Sequence, residues 1–235
     1  MTRTVPQTAL VIELNDLSRR YGVAYVLRGV NLKVTPGRTV VLRGGNGAGK
    51  TTLLRVLSTR LRPSRGGGRV LGFDLVREGH RIRERVAYLS VFGGAYGALS
   101  ARENLALAAR LYGKRVDLDG YLEQVGLSAA RDKLVRTFSS GMKKRLGIAR
   151  LLLADADLWL LDEPYTALDE NGRELIDALL IRAKAEGKTV VMASHELERS
   201  ARFADRVLSL EGGVLSVADP VARPSTNAGP AVSHV

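Results

Sequence analysis

The sequence contains no cysteine, so disulfide bonds and thiolate zinc sites are excluded from its 235 residues. This composition is compatible with a reducing cytosol. The longest run without a charged residue, positions 86–101, is shorter than a membrane-spanning helix and rich in glycine. The N-terminal residues lack the pattern of a signal peptide, which is a basic segment followed by an apolar one. We therefore expect a cytoplasmic protein without a membrane span.

Basic runs interleaved with aromatic residues, which are typical of proteins that stack nucleobases, are also missing. The formal net charge is nevertheless +12. Nucleic acid, an anionic membrane surface, or ATP itself would each account for such a charge. An arginine-rich composition spread over solvated faces is the simpler explanation. We predict that nucleic acid is not a partner.

Apolar runs alternate with helical periodicity along most of the chain, and this alternation predicts an α/β fold with a mainly parallel sheet. The segments 9–14 and 23–34, separated by a turn at 17–22, predict an antiparallel β-layer at the N-terminus. Three continuous apolar runs predict strands buried on both faces of the parallel sheet. They lie at positions 38–43, 158–164 and 188–193.

A helical subdomain, residues 93–153, is predicted to be inserted into this α/β core. Its helices are predicted near 101–112, 117–125 and 128–134, followed by a long helix that ends near Leu153.

The remaining segments complete a predicted domain over residues 9–218. The stretch 62–69 is rich in Pro, Gly, Ser and Arg and predicts a loop. The runs 207–210 and 214–217 predict a hairpin. The tail 219–235 is predicted to be disordered.

The stretch 44–52 matches the P-loop pattern of Gly, four residues, then Gly-Lys-Ser/Thr, between a predicted strand and a predicted helix. Its glycines allow the backbone to approach an anion, and the helix N-terminus favours phosphate. Lys50 is predicted to reach the β- and γ-phosphates, and the Thr51 hydroxyl to ligate Mg²⁺. The alternative is a glycine-rich turn before an ordinary helix. The predicted nucleotide-binding residues are Gly44, Gly45, Asn46, Gly47, Ala48, Gly49, Lys50, Thr51 and Thr52.

Asp162 and Glu163 lie at the end of one buried strand, and His195 lies just beyond the end of another. Ligands of α/β sheets bind at the carboxyl ends of the strands, where the P-loop also lies. Asp162 is predicted to bind the Mg²⁺ of a nucleotide, and Glu163 to polarise the attacking water as a general base. His195 is predicted to hydrogen-bond the γ-phosphate. The alternatives are an acid pair that caps a helix and a structural histidine.

Ser139, Ser140 and Gly141 precede a predicted helix whose start is basic. Hydroxyl groups, backbone N–H groups and the helix dipole together form an anion site. The alternative is N-capping of the helix by Ser139 or Ser140.

Together these motifs resemble the ATP-binding subunit of ABC transporters. The P-loop, the signature-like run 138–142, the acids Asp162 and Glu163, the run 167–169 and His195 occur in that family's order. The resemblance covers about residues 9–218 and implies the P-loop ATPase fold of that family. It also implies that the chain hydrolyses ATP with Mg²⁺, with Lys50, Glu163 and His195 catalytic and Thr51 and Asp162 on the metal.

The resemblance further implies a homodimer in which each ATP lies between one P-loop and the signature of the other subunit. Ser139 and Gly141 would then contact the γ-phosphate in trans, and Tyr21 would stack on adenine. Integral membrane permease subunits are the implied partners, which places the chain on the inner face of the cell membrane.

Shorter phrases resemble the heme exporter of cytochrome c maturation, namely 101–105, 110–113, 137–142 and 162–169. Export of heme is therefore the expected function, and another small exporter is the alternative.

The sequence departs from the family at two places. Ser140 and Met142 replace the usual Gly and Gln of the signature, and Phe92 stands where the family has a Gln that touches Mg²⁺. Because Phe cannot ligate a metal, a regulatory ATP-dependent clamp with little hydrolysis is a further alternative. A soluble ABC ATPase of translation or DNA repair is another, although such proteins usually carry two cassettes or long insertions.

Overall fold

The computed structural model describes residues 10–91 and 93–217. Ten strands form two sheets in this part of the chain. The strands are β1 Ile12–Tyr21, β2 Ala24–Val34, β3 Thr39–Arg43, β4 Arg65–Val70, β5 Phe73–Asp74, β6 Val86–Leu89, β7 Leu158–Asp162, β8 Thr189–Ala193, β9 Arg206–Glu211 and β10 Val214–Val217. The helices are α1 Lys50–Leu57, α2 Gly79–Arg83, α3 Ala101–Leu111, α4 Leu118–Gln124, α5 Ser140–Ala154, α6 Glu170–Ala185 and α7 Leu197–Ala201.

The larger sheet has the strand order β10-β9-β3-β8-β7-β6. All its neighbours are parallel except the β9–β10 hairpin, which is antiparallel. Every residue of β7 and β8 is buried, as their continuous apolar runs predict. This arrangement confirms the predicted parallel core and places the carboxyl ends of β3, β7 and β8 side by side.

The smaller sheet is antiparallel and has the order β2-β1-β4-β5. It confirms the predicted β-layer, but the predicted turn at 17–22 is wrong because β1 continues to Tyr21. Asp16 has a left-handed backbone and forms a bulge, which shifts the pairing of β1 with β2 between Leu14 and Leu17. The Asp16 N–H is held by the Asn31 side chain at 3.0 Å, so the strand resumes its pairing after the bulge.

The predicted loop at 62–69 is also wrong, because β4 begins at Arg65 and pairs with β1. Two of its glycines lie against the β1 backbone. A Cβ on Gly66 would lie 2.1 Å from the Asp16 carbonyl oxygen, and one on Gly68 would lie 2.1 Å from that of Glu13. The glycines therefore permit a close approach of two strands, a role that glycine composition does not distinguish from a loop.

Helices α3, α4 and α5 pack together in the part of the chain where a helical subdomain is predicted. The helix predicted at 128–134 is wrong, since short 3₁₀ turns at Ser128–Ala130 and Val135–Thr137 stand in this region. The chain here makes short-range bonds, such as the Arg131 N–H to the Ser128 carbonyl at 3.3 Å, and it also bonds to another loop. The Val135 N–H donates to the Leu99 carbonyl at 2.9 Å, and the Arg136 N–H to that of Gly97 at 3.0 Å.

Within residues 10–91 and 93–217, no helix combines the length and the apolar character that crossing a membrane requires. The predicted disordered tail, the outermost residues of the predicted domain at 9 and 218, and Phe92 lie outside the described residues.

Candidate functional site

The glycine-rich loop joins the end of β3 to the start of α1. Gly44 and Gly49 have positive φ angles of 150° and 108° and lie against neighbouring backbone. A Cβ on Gly44 would lie 2.3 Å from the Leu210 carbonyl oxygen. Gly45 and Gly47 have open space where a Cβ would stand. The first pair of glycines thus permits the tight loop, while the second pair leaves its surface accessible to an anion.

Lys50 begins α1 and is buried, with 7% of its surface exposed. Its Nζ donates hydrogen bonds to the Gly44 carbonyl at 2.6 Å and to the Gly45 carbonyl at 3.2 Å. The ammonium group therefore lies inside the curve of the loop. It provides the positive charge that a phosphate bound to the loop N–H groups requires.

Asp162, the first of the two acids, is the last residue of β7, is buried and faces the loop. One carboxylate oxygen accepts from the Thr51 hydroxyl at 2.9 Å, and the other accepts from the Tyr88 hydroxyl at 3.0 Å. Burial, followed by the charge of Asp162, raises the pKa of Tyr88 to about 12, so its hydroxyl remains a donor. The predictions did not include Tyr88. The sequence signal that could have identified it is a tyrosine near the end of β6, the strand next to β7.

The second acid, Glu163, faces a different group. Its backbone is left-handed, with a φ of 47°, and its N–H donates to the Ala193 carbonyl at 2.9 Å. Its carboxylate accepts from the His195 N–H at 3.1 Å and lies 3.3 Å from His195 Nε2. The carboxylate is mostly buried and the imidazole half exposed. Two consecutive acids therefore have separate partners, which the predicted division of roles requires.

The pair of Thr51 and Asp162 fits a magnesium ion by the chemistry of its donors. Mg²⁺ prefers oxygen ligands and is usually held by one or two protein side chains, with phosphate oxygens and water completing its shell. The described parts of the chain contain no group of three or more His, Asp or Glu side chains that would hold a metal by themselves. A metal at this place would depend on a nucleotide for its remaining ligands.

The serine-glycine turn lies at the N-terminus of α5. Ser139 is the N-cap, and its Oγ accepts from the Met142 N–H at 3.2 Å, which is the capping role named as an alternative. A Cβ on Gly141 would lie 2.8 Å from the Ala167 carbonyl oxygen. Within one chain, Ser139 therefore bonds to its own helix, and Gly141 lies close to the segment after β7.

Tyr21 ends β1 in the other sheet and is 46% exposed, with the Arg19 guanidinium 4.9 Å from its ring centre. It pairs with Ala24 at the start of β2. Two residues further along β2, the Val26 carbonyl oxygen lies 2.8 Å from where a Cβ on Gly49 would stand. The end of the β-layer that carries Tyr21 is therefore the end next to the glycine loop.

Comparison with known proteins gives a consistent set of relatives. The family model described as ABC transporter matches residues 27–166. Cytochrome c biogenesis ATP-binding export protein CcmA 2 of Cupriavidus metallidurans is 36% identical, and the alignment covers 91% of this chain and 98% of that protein. Daunorubicin resistance ATP-binding protein DrrA3 of Streptomyces coeruleorubidus is 37% identical over 86% of this chain and 66% of its own length.

A solved structure shares the fold as well. The dimeric structure of MJ0796, a bacterial ABC transporter cassette, has a TM-score of 0.79 and 26% identity, covering 87% of this chain and 96% of its own. The chain therefore spans nearly all of CcmA 2 and of the cassette, and about two thirds of DrrA3.

Proposed function

Since the chain belongs to the ABC transporter family as an ATP-binding subunit, we propose that it hydrolyses MgATP to drive export of heme for c-type cytochrome biogenesis. The observation that supports ATP hydrolysis is that three sets of contacting groups lie together at the ends of adjacent strands. Lys50 lies with the carbonyls of its loop, Thr51 with Asp162, and Glu163 with His195.

In the proposed reaction, water attacks the γ-phosphate in line with the leaving group. The Glu163 carboxylate orients that water and accepts its proton, and His195 bonds the γ-phosphate. Lys50 exchanges its carbonyl partners for phosphate oxygens. Thr51 and Asp162 would hold Mg²⁺, which when bound supplies positive charge against the charge that develops on the phosphoryl group. Tyr21 stacks on adenine.

The proposed active form is a homodimer with two ATP molecules at its interface. Ser139 caps α5 of its own chain and Gly141 lies close to the Ala167 carbonyl oxygen, and in the proposed dimer a second copy brings this turn to the γ-phosphate. The N-terminus of α5 supplies N–H groups and a dipole that favour an anion there. The dimer would bind integral membrane permease subunits at the inner face of the cell membrane. These subunits would convert closure of the dimer into transport.

Heme is proposed as the substrate from the extent of similarity. CcmA 2, whose name describes cytochrome c biogenesis and export, aligns over 98% of its length. Another small exporter is the second candidate, because DrrA3, named for daunorubicin resistance, is as similar over a slightly smaller share of this chain.

The variant Glu163→Gln tests the ATPase assignment. We expect it to bind ATP but to lose turnover by about 1000-fold or more, because the amide cannot accept the proton of the attacking water. With MgATP it should elute as a dimer in size-exclusion chromatography. Glu174→Gln, an exposed acid on α6, is the matched control and should keep wild-type turnover.

Hydrolysis by Glu163→Gln at the wild-type rate would contradict the role of this carboxylate, and a monomer with MgATP would contradict the proposed dimer. A wild-type protein that binds ATP without turnover, alone and with membrane subunits, would favour the regulatory clamp suggested by Phe92.

A further inference from the structure

Lys144 in α5 has no exposed surface, which is rare for lysine. Its Nζ donates hydrogen bonds to three backbone carbonyls. These belong to Glu163 at 2.7 Å, Asp162 at 3.2 Å and Ser90 at 3.3 Å. Three acceptors satisfy the three N–H donors of an ammonium group, so the buried charge is fully hydrogen-bonded.

Burial of this ammonium group carries a cost. Desolvation lowers the pKa of Lys144 to about 8, against the opposing influence of the Asp162 and Glu163 carboxylates. An apolar side chain of similar length would fill the same volume without desolvating a charge. Packing alone therefore does not account for a lysine at this position. What lysine provides and an apolar side chain would not is the set of three hydrogen bonds.

The three bonds join parts of the chain that are far apart in sequence. Lys144 belongs to the helical subdomain, and Ser90 follows β6. Asp162 ends β7, and Glu163 is the next residue. The segment after β6 also packs closely on α5, since a Cβ on Gly147 would lie 2.9 Å from the Gly93 Cα. Lys144 is thus a junction between the helical subdomain and the carboxyl end of the parallel sheet.

One of the joined carbonyls belongs to a strained residue. Glu163 has a φ of 47°, a left-handed conformation that is unfavourable for a residue other than glycine. Its carbonyl accepts from Lys144 and from the Thr166 N–H, the latter at 3.3 Å. The orientation of this peptide group sets the direction in which the Glu163 carboxylate leaves the backbone.

We infer that Lys144 is a positioning residue for ATP hydrolysis, which holds the backbone turn at Asp162 and Glu163 so that the Glu163 carboxylate faces the attacking water. This inference rests on the proposed function of Glu163. It also makes α5, the helix that begins with the serine-glycine turn, a direct support of the hydrolytic site in the same chain.

The test replaces Lys144 by methionine, which keeps the length and the apolar stem but removes all three donors. We expect kcat for ATP to fall by about 10- to 100-fold, as for a small displacement of a catalytic group, while KM for ATP stays within about threefold. Lys114→Met is the matched control, because Lys114 Nζ donates to the carbonyls of Leu153 and Ala154 at the other end of α5.

Hydrogen exchange provides a readout that does not depend on turnover. Amides in a peptide covering residues 162–168 should exchange faster in Lys144→Met than in the wild type, and Lys114→Met should leave them unchanged. If Lys144→Met does not fold, Lys144→Gln retains an amide donor in the same pocket and should give a smaller loss of kcat in the same direction.

A Lys144 variant with wild-type kcat and unchanged exchange at 162–168 would overturn the inference. Equal acceleration of exchange throughout the chain in both lysine variants would also overturn it, because the effect would then be general loosening. If the wild type lacks turnover, the proposed function fails, whereas the exchange comparison still decides whether Lys144 holds the turn.

Discussion

At the residue scale, the candidate site depends on side chains that hold one another rather than on isolated groups. The Asp162 carboxylate has two donors, the hydroxyls of Thr51 and Tyr88. Thr51 is also the proposed metal ligand, so a bound ion would compete for its oxygen. Tyr88 lies behind the carboxylate and stays protonated, so it fixes the orientation of Asp162 as an outer-shell partner does.

Tyr88→Phe isolates this contribution. We expect the magnesium concentration for half-maximal ATPase activity to rise roughly tenfold, because the carboxylate loses the group that orients it. The free energy of unfolding should fall by about 1 kcal/mol, since a buried oxygen loses its donor. Tyr112→Phe is the control, because Tyr112 follows α3 in the helical subdomain and is 40% exposed. An unchanged magnesium requirement in Tyr88→Phe would contradict the outer-shell role.

At the scale of elements, β4 shows how a strand is formed from a sequence that resembles a loop. Its glycines have no side chains to pack, so the backbone of β4 can lie directly against β1. The pairing extends the β-layer whose other edge, β2, approaches the glycine loop.

Gly66→Ala tests this close approach. The residue has a φ of 66°, and its new Cβ would collide with the Asp16 carbonyl oxygen. We expect the free energy of unfolding to fall by about 2–5 kcal/mol from left-handed backbone strain and overpacking. Urea denaturation measures the change. The neighbouring Gly67→Ala has open space for its Cβ and should leave stability nearly unchanged, so equal losses in both variants would refute the explanation.

At the scale of the whole molecule, one chain supplies only part of the proposed machinery. The glycine loop and the acids lie at the carboxyl ends of the parallel strands, while the serine-glycine turn begins α5 in the helical subdomain. The proposed export would therefore use a second copy of the chain. In the described residues, no helix is long and apolar enough to cross a membrane. In the proposed function, the substrate passes through separate membrane permease subunits.

A pull-down of the tagged chain from detergent-solubilised membranes tests these partners. We expect integral membrane subunits in the eluate together with the absorption of bound heme, and neither with a tag-only bait. Membrane subunits without heme absorption would contradict heme export and favour another small exporter. Recovery of ribosomes or DNA in place of membrane subunits would contradict the transport function and support the alternative in translation or repair.

The sequence by itself determined the features that adjacent residues carry. The P-loop pattern depends on a spacing of a few residues, and the buried strands on continuous apolar runs, so both could be predicted without the fold. Placement of the acids and His195 at one end of the sheet followed from the alternation of strands and helices. These predictions use patterns of residues that are close together in the sequence.

Only the tertiary structure decided which distant groups meet. Glu163 reaches His195 because β7 and β8 are neighbours in register, and Lys144 reaches Ser90 and Glu163 because α5 packs on the end of the sheet. The glycines of β4 form a strand only because β1 lies beside them. These contacts depend on strand order and packing, which no short stretch of sequence contains, because the partners are brought together by the burial of the whole core.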